Sequence, residues 1–134
     1  MLKIEHLGIA VKDLEASNTL YQKLLGQAPY KTETVESEQV STSFFKIGES
    51  KIELLQATGT QSAIAKYIDK KGEGIHHIAF AADSVSDELA RLNNEGISLI
   101  NNEPRNGAHD MLIAFLHPKS TGGVLMELCQ PMEK

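Results

Sequence analysis

The sequence predicts an α+β chain in which two βαβββ modules pair into a curved, half-open eight-stranded sheet with helices outside. Three observations predict it. First, a strand-like heptapeptide occurs twice, as Ile4-Glu5-His6-Leu7-Gly8-Ile9-Ala10 and Ile75-His76-His77-Ile78-Ala79-Phe80-Ala81, at an offset of 71. Second, each copy is followed by a helix-like segment with its own start and stop signals. Third, each half closes on matching strands, Ile52-Glu53-Leu54 over Met126-Glu127-Leu128, at an offset of 74. Neither half buries its sheet alone, so the repeat argues for pairing about a pseudo-twofold axis.

Each element follows from local chemistry. Both first strands alternate, which is the strand period. His6, Gly8 and Ala10 fall on one face, as do His77, Ala79 and Ala81; Leu7, Ile9 and Val11 fall on the other, as do Ile78, Phe80 and Ala82. One face is therefore apolar, for a helix, and the other holds a histidine beside small residues. In the first helix Asp13 is the N-cap, Leu14, Leu20, Tyr21, Leu24 and Leu25 are its apolar residues, and Gly26 stops it. In the second, Ser84 caps with Asp87 three residues on, Val85, Leu89 and Leu92 make the stripe, and Gly96 ends it. The remaining strands lie near 27–34, 41–47 and 51–56 in the first half. In the second they lie near 98–101, 112–116 and 124–129. Phe44-Phe45 lies over Phe115-Leu116, again at 71. Residues 62–71 read as a connecting helix ended by Gly72. The organisation expected is one domain over 1–134, with module one near 1–58, the connecting helix near 61–72 and module two near 73–134.

Composition bounds the function. A chain of 134 residues with 41% hydrophobic and 23% charged residues holds an ordinary soluble core. Cys129 is the one cysteine, which rules out an internal disulfide and suits a reducing, cytoplasmic setting. The opening MLKIEHLGIAVKDLE has one short apolar run broken by charges, so it reads as neither a signal peptide nor a membrane span. A net charge of −5 argues against a nucleic-acid partner. It leaves room for a small anionic ligand met by local charges. Lys66, Lys70 and Lys71 form a basic patch on the connecting helix, read here as a solvated face in preference to one that attracts the anionic end of a ligand.

The chemistry lies in four residues. A glutamate amid an apolar strand ordinarily faces solvent, and a histidine alone is ordinarily a half-buried core residue. The joint pattern argues otherwise: each half supplies one histidine on its first strand and one glutamate on its last, at equivalent positions. His6, Glu53, His77 and Glu127 are thus a candidate ligand set for one divalent metal ion, with remaining positions left for water or substrate. Oxygen and imidazole donors suit cobalt, nickel, manganese and zinc alike. His76 points to the face opposite His77 and reads as structural. His109, in Asn106-Gly107-Ala108-His109-Asp110, reads as solvated. His117 opens the loop before the last strand and reads as orienting it. Cys129 shares a face with Glu127 but has nothing nearby to make it a nucleophile.

The repeat and the His/Glu/His/Glu pattern resemble the vicinal oxygen chelate superfamily. Within it the chain is most similar to the methylmalonyl-CoA epimerases. The motifs are Ile4-Glu5-His6-Leu7-Gly8-Ile9-Ala10-Val11, Lys51-Ile52-Glu53-Leu54-Leu55, Gly72-Glu73-Gly74-Ile75-His76-His77-Ile78-Ala79 and His117-Pro118-Lys119-Ser120 with Gly123-Val124-Leu125-Met126-Glu127-Leu128. The resemblance implies paired βαβββ modules with a metal in the cupped sheet. His6, His77 and Glu127 match metal-ligand positions; Glu53 matches one where Gln also serves. It also implies exchange of the (R) and (S) forms of methylmalonyl-CoA by proton removal at C2, with Glu127 as the natural first base. A homodimer and an acyl-CoA substrate come with it. A second glutamate is expected across the cavity, yet the matching run Val40-Ser41-Thr42-Ser43-Phe44-Phe45 has no carboxylate, which leaves Glu38 as the nearest candidate, with Glu36 behind it. Lys119 and Ser120 are placed to hold the substrate carboxylate or thioester arm.

Three rivals share the fold. A glyoxalase I-type lyase has the same ligand set, but those enzymes tend to carry an Asp-Pro-x-Gly-type turn where this chain has His117-Pro118-Lys119-Ser120. A non-catalytic metal- or ligand-binding module has no need of both glutamates. An extradiol dioxygenase usually has two histidines, one glutamate and more aromatic pocket residues.

Overall fold

The computed structural model describes residues 1–107 and 110–132. The helices and strands run β1 (Lys3–Ala10), α1 (Leu14–Leu25), β2 (Lys31–Val35), β3 (Val40–Ile47), β4 (Ser50–Ala57), α2 (Ala63–Lys71), β5 (Gly74–Ala81), α3 (Val85–Asn94), β6 (Arg105–Asn106), β7 (Met111–Leu116) and β8 (Leu125–Pro131). The order is βαβββ twice, with α2 between, as the repeat predicts. The chain divides into two compact units, residues 6–76 and residues 77–134 together with 1–5.

In the unit 6–76 the strand order is β2-β3-β4-β1. β1 and β4 are parallel, with Gly8 opposite Glu53. β3 runs antiparallel to β4, with Phe44 opposite Glu53. The Asp13 carboxylate accepts from the Ala16 amide at 3.2 Å and so starts α1, while Gly26, at φ +73°, closes it in a conformation that suits glycine. The helix lies on the face of Val11, Phe45 and Leu54 through Leu14, Tyr21 and Leu25. Leu20 and Leu24, expected among its apolar contacts, are 58% and 68% exposed. Helical spacing explains the correction: 14, 18, 21 and 25 form one stripe, and 20 and 24 sit off it. α2, capped by the Ser62 hydroxyl on the Ile64 amide, takes the opposite face of the sheet. There Ile64, Tyr67 and Ile68 pack on Ala10, Val40, Leu55 and Ala57.

In the second unit the strand order is β5-β8-β7-β6. β5 and β8 are parallel, with Ala79 opposite Glu127, and β7 is antiparallel to β8, with Phe115 opposite Glu127. The Ser84 hydroxyl accepts from the Asp87 amide at 3.2 Å. Val85 and Leu89 then pack with Ala114, Leu116 and Leu128, and Leu92 lies against them. Burial of each such large side chain contributes about 1.5–3 kcal/mol.

Two strand expectations change. Residues 27–30 are not strand, because Pro29 removes a ladder donor, and β2 begins at Lys31. Residues 98–101 make one isolated bridge, Leu99 to Leu116, and the regular edge pairing moves to Arg105–Asn106. There the Asn101 side chain accepts from the Phe115 amide at 2.8 Å, in place of a backbone partner. No helix among the described residues is long and apolar enough to cross a membrane.

Candidate metal centre

Each unit builds one histidine–glutamate pair by the same construction. In residues 6–76, His6 lies on β1 two positions before Gly8, and Gly8 is opposite Glu53 on the parallel neighbour β4. Alternation puts His6, Gly8 and Glu53 on one face. The His6 Nδ1 atom lies 3.2 Å from Glu53 Oε2. In the second unit, His77 lies two positions before Ala79, which is opposite Glu127 on β8. His77 Nε2 lies 3.3 Å from Glu127 Oε1. Gly8 and Ala79 are the small residues beside each histidine, so nothing bulky fills the face. The His77 ring meets Phe115 edge-on at 6.2 Å. His6, His77 and Glu127 are each 6% exposed.

The geometry of each pair fits a cation. Two donor atoms bound to one ion at about 2.1 Å sit roughly 3.0–3.4 Å apart across octahedral or tetrahedral angles. Both observed separations, 3.2 and 3.3 Å, fall in that range. His6, His77 and Glu127 are buried and Glu53 half-buried, and imidazole and carboxylate are costly to bury unless paired with charge. Each unit by itself thus offers one imidazole and one carboxylate of metal-ligand chemistry.

The other sequence candidates take different places. Glu38 is exposed on a 3-10 turn, Glu36–Glu38, between β2 and β3. It lies beyond Val40, which pairs with Ala57, whereas Glu53 is four residues back along β4, about 13 Å at strand rise. Glu38 therefore stands off from Glu53. Of the run Val40–Phe45, register puts Val40, Thr42 and Phe44 on the Glu53 face, and Thr42 is 7% exposed. Lys119 is exposed on the 3-10 turn Pro118–Ser120. The Ser120 hydroxyl accepts from the Ser98 amide at 3.0 Å and donates to the His117 carbonyl at 3.0 Å, so it ties the loop together. His117 Nδ1 accepts from the Lys119 amide at 3.2 Å, the orienting role its position suggests. His76 lies edge-on to Tyr67 at 5.1 Å, and burial holds its pKa below the usual histidine value. The Cys129 thiol is buried against the Phe80 carbonyl. His109 lies outside the described residues.

One repeated pair went unread in the sequence. Gln56 Oε1 accepts from the Leu14 amide, and Gln130 Oε1 accepts from the Val85 amide. Each last strand thus caps the helix of its own module. The signal was present, since Gln56 and Gln130 stand 74 apart, the offset of the glutamates.

A profile of the Glyoxalase/Bleomycin resistance protein/Dioxygenase superfamily matches residues 5–115. This chain belongs to that superfamily. It is similar to the uncharacterized protein YqjC of Bacillus subtilis, at 40% identity over 98% of this chain and 94% of that protein. It is also similar to the ethylmalonyl-CoA/methylmalonyl-CoA epimerase of Cereibacter sphaeroides, at 35% identity over 96% of this chain and 97% of that one. Among solved structures it matches a Streptomyces coelicolor methylmalonyl-CoA epimerase variant in complex with 2-nitronate-propionyl-CoA. There the TM-score is 0.91 and the identity 37%, covering 98% of this chain and 95% of that one. The fold class read from the repeat is the fold of that superfamily's epimerase structures.

Proposed function

We propose that this protein is a metal-dependent methylmalonyl-CoA epimerase. The carrying observation is the doubled His–Glu construction in a chain similar over nearly its full length to epimerases. His6, Glu53, His77 and Glu127 would hold one divalent ion, of cobalt, nickel, manganese or zinc type. When bound there, it would supply Lewis-acid stabilisation of negative charge on the substrate. The chain's own residues do the rest. Glu127 takes the C2 proton, which is activated by the thioester and carboxylate on either side. Glu127 suits that task because it is buried, held by β8 and set 3.3 Å from His77 Nε2. Lys119, on the loop leading into β8, meets the substrate's negative charge, and Ser120 keeps that loop shaped. The 134 residues act as one catalytic domain, which works as a homodimer in the cytoplasm; a lone buried cysteine suits a reducing compartment.

The glyoxalase-type lyase is not favoured, because the epimerase likeness spans the chain and the His117-Pro118-Lys119-Ser120 turn departs from the lyase pattern. The test is incubation with methylmalonyl-CoA in deuterated water plus a divalent metal. Deuterium should enter at C2. No exchange with any of several metals, alongside turnover of methylglyoxal and a thiol, would favour the lyase and end the epimerase reading.

A further inference from the structure

α2 separates two kinds of surface. Ile64, Tyr67 and Ile68 seat it on Ala10, Val40, Leu55 and Ala57. Ala10 and Leu55 share a face with His6 and Glu53, by strand alternation on β1 and β4. The helix therefore stands on the same sheet face as this His–Glu pair. Leu55 is two residues from Glu53, about 7 Å, and Ala10 is four from His6, about 13 Å.

The outer side of α2 is basic. Lys66 and Lys70 are exposed and one helical turn apart, so their side chains lie one above the other. Lys71 is exposed too but follows the inner stripe, its ammonium reaching over the Tyr67 ring at 5.9 Å. Asp69 is the only acidic residue of the helix, which leaves Lys66 and Lys70 against one aspartate on the outer side, a local +1 on a chain of net −5. The helix dipole accounts for Lys70 and Lys71, which sit in the last turn. It does not account for Lys66. Asp69, three residues on from Lys66, offsets one of the two charges and leaves this side net positive, which suits an anion.

On the epimerase reading, on which this inference rests, an acyl-CoA brings its thioester to the metal ligands and carries a polyanionic nucleotide at the far end of a flexible arm. We propose that Lys66 and Lys70 on the outer side of α2 form the docking site for the nucleotide phosphates of the acyl-CoA. The patch binds and steers the substrate and takes no part in proton transfer.

The experiment compares wild type with K66E and K66E/K70E on two substrates, methylmalonyl-CoA and methylmalonyl-pantetheine, which lacks the nucleotide. K66E alone creates a favourable Glu–Lys pair with Lys70, so no folding defect is expected of it, and in the double variant, which places like charges there, activity on the pantetheine thioester reports any folding loss. The double variant should raise KM for the CoA thioester about tenfold with kcat unchanged, and leave the pantetheine thioester unaffected. No change in KM for methylmalonyl-CoA, or equal changes for both substrates, overturns the proposal. If wild type exchanges neither substrate, the epimerase reading fails, and calorimetry with coenzyme A alone still decides the patch. Tighter binding by wild type than by K66E/K70E supports it, and equal binding overturns it.

Discussion

The two modules share one frame and differ in what fills it. In both, a histidine sits two residues before a small residue that faces a glutamate on a parallel strand. In both, a phenylalanine lies opposite that glutamate, and a glutamine from the last strand caps the helix. The seam between helix and sheet is different. The second module packs Leu89 and Ala114 there. At the equivalent positions, 71 residues earlier, the first has Asn18 and Ser43, whose Oδ1 and Oγ atoms are buried without hydrogen-bond partners. Strand register is what holds the site alike in both halves, because a one-residue slip would turn His and Glu to the wrong face. The seam carries no such constraint and has diverged.

Several substitutions break or sharpen this comparison. The largest effect falls on the glutamates: Glu127→Gln should lower C2 exchange about a thousandfold, while Glu53→Gln should lower it about tenfold or less. Rates of deuterium incorporation check this, and equal losses would mean that the two modules are chemically as well as structurally equivalent. A middle effect concerns His76, whose pKa burial depresses. The unfolded chain then binds the extra proton more readily, so stability is full above the ordinary histidine pKa near 6.5 and falls as pH drops below it. Urea midpoints at pH 7.5 and 5.5 should therefore differ less in His76→Phe than in wild type, and an unchanged gap contradicts this. The smallest effect is at the seam. Ser43→Ala gives the first module the residue of the second and removes a buried hydroxyl without a partner. It should raise unfolding free energy by up to about 1 kcal/mol. A clear loss of stability in urea would show that Ser43 Oγ is satisfied in solution.

Much of this was legible because the repeat fixed it. The alternation around His6 and His77, the caps at Asp13 and Ser84, and the stops at Gly26 and Gly72 are local chemistry, and the structure has them. The stripe of α1 was overdrawn, because composition alone does not say which of five apolar residues meets the sheet. Residues 98–101 failed as a strand because the Asn101 side chain supplies the partner that a strand would need, which no period reveals. The glutamine caps were missed for a different reason: a glutamine between a strand and a loop has many possible partners until register fixes one. The four candidate ligands were readable as pairs of equivalents, and register explains why each His meets its own Glu.

On the proposed function, two His–Glu pairs serve one ion. Titration of the metal-free protein with cobalt or zinc, followed by calorimetry, tests it most directly. The account predicts one ion per chain, with affinity reduced at least about a hundredfold by either His6→Ala or His77→Ala. Two ions per chain, or an affinity that survives the loss of either histidine, would contradict it.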